Sequence, residues 1–298
     1  MFLRAGLIVA LIFLTSLTFA SPQLTENEQE NQISIGEVHS YPLSLKEGEF
    51  VSILVSETGQ DVIVSLLSPE NLKLMEVNLS EGTAGFERLF FVAQSSGNYQ
   101  IEISPTQNKI YDPQIISLPD QQQCSYKIRI ELRRPAEQND LLRALTLAQL
   151  TSAEDMHSDS LENQVNGSVV GFMNALRLSE ESNDRYLEAK CHWKLAEIYY
   201  LLSQPVESIY YAEQALEIYR SIGNKKGIAE ALNITGLGYD LIGEFKKGLQ
   251  FCEQSYKLRE EIDDIHGQAE SLHNIGVSYY RIGEIGKALE NFNRIVPM

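Results

Sequence analysis

The sequence has 298 residues, of which 43% are hydrophobic and 22% are charged, a balance typical of chains that bury hydrophobic cores. This composition argues against disorder throughout, a collagen helix and a long coiled coil. The 24 lysines and arginines stand against 41 aspartates and glutamates, for a net charge of −17. Such an acidic surface disfavours DNA, RNA and anionic membranes as partners.

The first 20 residues predict a signal peptide. Arg4 precedes an apolar stretch at residues 5–20, which ends with a small residue, Ala20, at the expected cleavage position. The stretch is shorter than the roughly 20 residues of a comfortable membrane span, and an uncleaved anchor is the alternative interpretation. We therefore expect an exported protein, periplasmic or extracellular, with no membrane contact beyond the signal peptide.

The three cysteines, Cys124, Cys191 and Cys252, are odd in number and far apart. A small secreted fold that is held by disulfides has an even and dense set of cysteines. We therefore interpret all three as small packed hydrophobic residues.

Residues 21–34 predict a mobile linker, because they are rich in Asn, Gln and Glu and carry almost no apolar side chains. Residues 35–135 show short alternating runs separated by turn residues, which predict an antiparallel β-sandwich. The proline-containing segment 106–123 predicts a long loop before the last strand. The predicted strands span residues 38–45, 50–56, 61–67, 73–79, 86–93, 98–103 and 125–132.

From Gln138 onward the apolar residues follow the helical period, and the sequence repeats itself every 40 residues. Each unit is typical of a helix, a tight turn and a second helix, with small residues such as Gly236 and Gly276 where two helices approach closely. The predicted units are a degenerate repeat at 138–187, repeats at 188–227 and 228–267, and an incomplete repeat at 268–298. We expect self-association through the uncapped last repeat.

The repeated residues resemble the tetratricopeptide repeat family, in its longer variety of about 40 residues. In the middle unit the matching residues are Leu232, Gly236, Tyr239, Gly248 and Cys252, and in the last unit they are Leu272, Gly276, Tyr279, Ala288 and Phe292. The resemblance implies an α-helical solenoid that binds a protein or peptide along the concave face of its first helices.

A second resemblance comes from the whole arrangement. A signal peptide, a sandwich opening with residues 36–45, the turn at 96–99 and a strand at 128–133 leading into such repeats are similar to the N-terminal part of secreted bacterial CHAT-domain proteins. Their first domain resembles the bacterial pre-peptidase C-terminal sandwich. The caspase-like His and Cys pair that defines that family has no counterpart in this sequence. The alternative function is therefore a regulatory or sensing segment of a longer CHAT protease.

No sequence pattern for catalysis, cofactors or metals is found. Cys191 and His192 are adjacent, but neighbours on a helix point about 100° apart and cannot pair as nucleophile and base. The acidic segment 260–264 lacks the alternating oxygen ligands of a calcium loop. We therefore predict a non-enzymatic protein that needs neither a cofactor nor a metal.

The candidate partner-binding residues lie where the resemblance places the concave face. Trp193, the single tryptophan, is a typical binding anchor, although the preceding unit could instead cover it. Asn233 matches a position that some family members use to clamp a terminal carboxylate, but Glu230 stands where a basic residue is needed. The full set is Lys190, Trp193, Glu197, Tyr200, Leu201, Glu230, Asn233, Leu237, Asp240, Leu241, Glu270, His273, Val277, Tyr280 and Arg281.

The sequence thus predicts a secreted, non-catalytic interaction scaffold, in which a β-sandwich precedes a tetratricopeptide-type solenoid. Carbohydrate binding by the sandwich is a third possibility, which only the generic fold favours.

Overall fold

A computed structural model describes residues 24, 26–58, 62–78, 84–106, 124–154 and 161–296. The predicted signal peptide, and all but the first residue of the predicted loop at 106–123, lie outside these residues. The described part of the chain contains eight strands followed by eight helices.

The strands form two antiparallel sheets of four strands each, with orders β1-β8-β3-β6 and β2-β7-β4-β5. Buried side chains alternate with more exposed ones along β7 and β8, as the period-two pattern predicts. Buried residues from both sheets, such as Phe50 and Tyr99, belong to one hydrophobic cluster. The strands are β1 Gln29–Ile33, β2 His39–Leu45, β3 Glu49–Thr58, β4 Val62–Leu67, β5 Lys73–Val77, β6 Ala84–Val92, β7 Gly97–Pro105 and β8 Cys124–Pro135.

Strand β1 corrects the prediction that residues 21–34 form a linker. Residues 29–33 pair antiparallel with β8, and the side chain of Ile33 is buried at 1% exposure. The Asn31 amide also donates a hydrogen bond of 2.9 Å to the hydroxyl oxygen of Tyr41. Backbone pairing at a sheet edge stabilises this strand, and a polar composition does not reveal such pairing.

The helices follow as consecutive pairs. Helices α3, α5 and α7 begin at Arg185, Lys225 and Ile265, so the period of 40 residues in the sequence is the spacing of the helix pairs. The helices are α1 Gln138–Glu154, α2 Leu161–Ser182, α3 Arg185–Leu201, α4 Pro205–Ile222, α5 Lys225–Leu241, α6 Phe245–Glu261, α7 Ile265–Ile282 and α8 Ile285–Ile295.

The same local signals begin the first helix of each of these three pairs. The side chains of Asp184, Asn224 and Asp264 each accept a hydrogen bond from the backbone amide three residues further on, at 3.1, 2.9 and 2.9 Å. Because the caps recur with the period, each helix pair starts in the same register.

Close helix contacts occur where the repeat places small residues. A Cβ atom added at Gly236 would lie 2.9 Å from the carbonyl oxygen of Gly248 and 2.6 Å from the Cys252 sulfur. Helices α5 and α6 therefore approach backbone to backbone. This confirms the interpretation of Gly236 as a packing residue.

The two parts of the chain share a continuous core. The cluster that contains the buried residues of both sheets extends to Leu147, Phe172 and Leu195 in the first three helices. Where β8 leads into α1, the Arg134 guanidinium forms two hydrogen bonds to the fully buried carboxylate of Asp140, at 2.6 and 3.1 Å. The helices are thus joined to the sheets by both apolar packing and an ion pair.

All three cysteines are buried and free, in agreement with their interpretation as packed residues. Among the residues described, no helix combines the length and the apolar character that crossing a membrane requires.

Candidate functional site

Many of the predicted partner-binding residues surround one depression on helices α3, α5 and α7. It has a volume of about 180 Å³, and Arg259 and the start of α7 complete its wall. We call it the groove cavity. The predicted residues that line it are Trp193, Glu197, Tyr200, Leu201, Glu230, Asn233, Leu237 and Glu270.

Trp193 is less open than a simple groove position would be. Its side chain is 5% exposed, and the ammonium nitrogens of Lys190 and Lys194 lie 4.0 and 4.6 Å from its ring centroid. It also belongs to a hydrophobic cluster with Leu216 of α4 and Leu232 of α5. These contacts come from its own and the two following helices, and the remaining part of the indole forms a wall of the groove cavity.

Lys190 and Glu230 form a buried pair between α3 and α5. The two residues are 2% and 9% exposed, and Nζ lies 4.0 Å from a Glu230 carboxylate oxygen. Sequence reasoning placed both side chains on an open surface. In the structure, packing of α3 against α5 covers most of each side chain, while Glu230 still reaches the groove cavity.

Asn233 is engaged inside the protein. Its side-chain amide donates to Glu270 at 2.9 Å, and its carbonyl oxygen accepts from Asn274 at 3.0 Å. Glu270 in turn pairs with Arg259 at 2.9 Å. Because both ends of the Asn233 side chain have protein partners, this arrangement disfavours a clamp for a peptide carboxylate.

Other predicted residues of this face lie outside the groove cavity. Asp240 accepts a hydrogen bond of 2.7 Å from Ser278, and burial raises the pKa of its carboxyl group above the ordinary value. His273 lies against the ring of Phe292, with ring centroids 5.8 Å apart. Val277 is half-buried, and Tyr280 is 62% exposed. The structure therefore extends the face beyond the cavity but does not gather these four residues into it.

Arg259 is a wall residue that sequence reasoning missed, because only first helices were considered. It is 4% exposed on α6 and donates hydrogen bonds to the Gly267 carbonyl at 2.6 Å and the Ser271 hydroxyl at 3.0 Å. It stands 40 residues after Tyr219, a buried aromatic residue of the preceding pair. A charged residue at a packing position of the repeat was therefore an available signal.

The groove cavity combines an apolar wall with a ring of acidic groups. Trp193, Tyr200 and Leu237 provide the apolar part, while Arg259 is the arginine of the wall. The carboxylates are partly neutralised inside the protein, as in the pair of Glu197 with Lys194 at 3.3 Å. The arrangement suits a ligand group with a cationic end and an apolar stem. The carboxylates that line the cavity are those of Glu197, Glu230, Asp264 and Glu270.

Cys191 and His192 are not arranged for nucleophilic chemistry. Burial raises the pKa of the Cys191 thiol well above its ordinary value, whereas a nucleophilic cysteine needs a lowered pKa. Burial, together with the nearby charge of Arg185, lowers the pKa of His192 to about 4. Among the described residues, no group of His, Cys, Asp and Glu side chains is placed to hold a metal ion.

The lowered pKa of His192 predicts a pH-dependent loss of stability. Above pH 6.5 the imidazole is neutral in both states, and it has no effect. Between about pH 6.5 and 4 the unfolded state binds a proton that the folded state does not, which costs about 2 to 3 kcal/mol. We expect the variant His192→Gln to lose stability less steeply over this range, as measured by urea unfolding at several pH values. His273→Gln on the exposed face is the control, and an effect of His192→Gln that is independent of pH would contradict the prediction.

Comparison with known proteins gives no family assignment. No protein-family model and no curated protein matches the sequence. Solved structures with a similar fold include aspartyl phosphate phosphatase F from Bacillus subtilis, with 14% identity, a TM-score of 0.47 and coverage of 54% of this chain and 41% of that chain. The tetratricopeptide repeat domain of Arabidopsis FLU has 16% identity and a TM-score of 0.37, over 38% of this chain and 95% of that chain.

A third similar structure is a kinesin light chain with tetratricopeptide-like repeats from Podosopora anserina. It has 15% identity and a TM-score of 0.44, over 54% of this chain and 76% of that chain. Two of these three proteins thus carry the kind of repeat that the sequence resembles. At such TM-scores the similarities carry no argument about what this chain binds.

Proposed function

We propose that this chain is an exported, non-catalytic scaffold whose helical repeats bind a protein or peptide in the groove cavity. The observation that carries this proposal is the meeting of Trp193, Tyr200 and Leu237 with several carboxylates in one depression. The β unit, which we propose to be a sandwich of the pre-peptidase type, supports the repeats through the shared core.

The size of the groove cavity favours a large partner over a small molecule. Pockets for drug-sized ligands measure about 300 to 1,000 Å³, whereas this one measures about 180 Å³. It has room for one side chain of a larger partner. Exposed apolar residues next to it, Leu201 at 67% and Leu241 at 44% exposure, extend the contact surface.

The charge of the cavity suggests the type of side chain. An arginine or lysine would place its cation among the carboxylates and its methylene stem against Tyr200 and Leu237. We therefore propose a partner segment that has a basic residue next to apolar ones.

Peptide display on the mature chain tests this proposal. We expect selected peptides to carry Lys or Arg beside an apolar residue, and to change the fluorescence of Trp193, the single tryptophan. Selection of acidic peptides, or binding without any effect on Trp193, would contradict it.

Two substitutions test the site without removing the buried indole. Tyr200→Ala and Glu197→Gln should each weaken binding of a selected peptide about tenfold, which corresponds to ~1.4 kcal/mol. Tyr210→Ala is the matched control, because Tyr210 is 56% exposed on α4 and does not line the groove cavity. Equal losses in Tyr200→Ala and Tyr210→Ala would place binding elsewhere.

Export is tested separately. We propose cleavage after Ala20, so N-terminal sequencing of protein from a periplasmic or culture fraction should begin at Ser21. Full-length protein in the cytosolic fraction would contradict export and leave the binding proposal intact.

A second candidate rests on the last helix. Its side chains Ile285 and Leu289 are 49% and 57% exposed, which favours an element that covers them. We propose either self-association of the chain or a place before further domains in a longer CHAT-type protein. Light scattering over a range of concentrations tests the first, and the gene sequence after the codon for Met298 tests the second.

A further inference from the structure

A larger cavity lies between strand β6 and the helical repeats. It has a volume of about 600 Å³, within the range of small-molecule sites. Phe86 and Arg88 of β6 form one side, and residues of helices α3 to α5 form most of the other. It is distinct from the groove cavity, with which it shares Glu230. We call it the basic cavity.

Charge sets the basic cavity apart from the rest of the molecule. Its wall contains Arg88, Lys190, Lys225 and Lys226 but only one carboxylate among its lining residues, that of Glu230. The chain as a whole has 24 basic and 41 acidic residues, so this concentration of cations opposes the overall composition. Clefts that are lined by one sign of charge concentrate ligands of the opposite sign.

The most deeply placed cation is Lys190. Its side chain is 3% exposed, and the nearest Glu230 oxygen recorded as its ion-pair partner lies 4.0 Å away, longer than a hydrogen bond. An ammonium group has three donors, and buried donors are normally satisfied. An anion in the basic cavity would supply acceptors for Lys190.

The first turn of α5 adds to the positive potential. Lys225 and Lys226 lie there, and this turn contains no acidic residue. Lys225 forms an exposed ion pair with Glu261 at 3.2 Å, which a bound anion could share. The backbone amides at a helix N-terminus add further positive charge.

The remaining wall is apolar and aromatic. The rings of Phe86 and Tyr186 are in contact, with centroids 5.4 Å apart, and Ile222 and Ile262 lie on the same wall. A simple inorganic anion would leave this surface without a partner. The basic cavity therefore suits a ligand that has both an anionic group and an apolar body.

We propose that the basic cavity binds a small organic anion, with its carboxylate or phosphate near Lys190 and Lys226 and its apolar body against Phe86 and Tyr186. This site goes beyond the proposed peptide groove, and it takes a different class of ligand.

Calorimetric titration of the mature chain tests the ligand class. The probes are 4-phenylbutyrate and phenyl phosphate, with the neutral 4-phenylbutanol and inorganic phosphate as comparisons. We expect one or both organic anions to bind with a dissociation constant of about 1 mM or tighter, and both comparisons to bind at least about tenfold more weakly. The stronger organic anion identifies the preferred acidic group.

Two double variants test the place of binding. Lys225→Gln with Lys226→Gln should weaken binding of the better probe at least about fivefold. The matched control is Lys246→Gln with Lys247→Gln, because these lysines occupy the first turn of α6 and do not line the basic cavity. The control has the same change in net charge, so a nonspecific effect of charge would appear in both. We expect it to change affinity less than about twofold.

Lys190→Met provides a further test at the buried position, provided that circular dichroism shows an unchanged helical signal. The proposal is overturned if no organic anion binds, if the neutral alcohol binds as tightly as the acid, or if the two double variants lose affinity equally. None of these results depends on peptide binding in the groove cavity.

Discussion

Replacing Gly236 by alanine is expected to lower the free energy of unfolding by about 1 to 3 kcal/mol. The new Cβ atom would lie 2.9 Å from the Gly248 carbonyl oxygen and 2.6 Å from the Cys252 sulfur. Since the carbonyl oxygen belongs to the backbone of α6, the two helices must separate to admit it. The higher helix propensity of alanine offsets this cost by at most about 1 kcal/mol. Urea unfolding followed by circular dichroism measures the change.

Gly286→Ala is the matched control for this prediction. Gly286 also lies in a helix, but a Cβ atom added there has no neighbour within 4 Å. The same substitution should leave stability unchanged or raise it by up to about 1 kcal/mol. If Gly236→Ala also leaves stability unchanged, α5 and α6 do not pack as closely as the structure shows.

Replacing Asp140 by alanine is expected to cost about 2 to 4 kcal/mol of stability, because a buried ion pair loses one partner. The Asp140 carboxylate is fully buried and accepts hydrogen bonds from Arg134 and from the backbone amide of Glu137. It also lies 3.7 Å from the Arg143 guanidinium. Removing it leaves cations without a partner at the point where β8 leads into α1. Thermal and urea unfolding both measure the loss.

The control is Glu181→Ala, which removes an exposed ion pair with Arg177 on one helix. Such pairs contribute at most about 0.5 kcal/mol, and we expect no larger change. Asp140→Asn keeps the shape of the side chain but removes its charge. Full stability in this variant would show that the charge of Asp140 does not hold the β unit to the helices.

Sequence reasoning located the binding face more accurately than it described the openness of that face. Trp193 and Lys190 lie on the predicted face of α3, yet they are 5% and 2% exposed. The helical period determines which residues share a face. It does not determine how far the next helix covers that face, and this coverage is what buries both residues.

The polar network around Asn233 could not be predicted for a similar reason. Its partners Glu270 and Asn274 lie on α7, one repeat away, and the network continues to Arg259 of α6. A single departure from the repeat, an arginine where the preceding unit has Tyr219, marked this position. Only the positions of three helices together show which groups it joins.

The sequence by itself determined the helix pairs, their period of 40 residues and seven of the strands, because these follow from the spacing of apolar, small and capping residues along the chain. Strand β1 needed the tertiary structure, because its stability comes from pairing with β8, about 95 residues away. The basic cavity needed it as well, since Arg88 and Lys190 meet there across a long separation in sequence. Local patterns specify elements, whereas the contacts between distant elements decide which side chains remain open to a ligand.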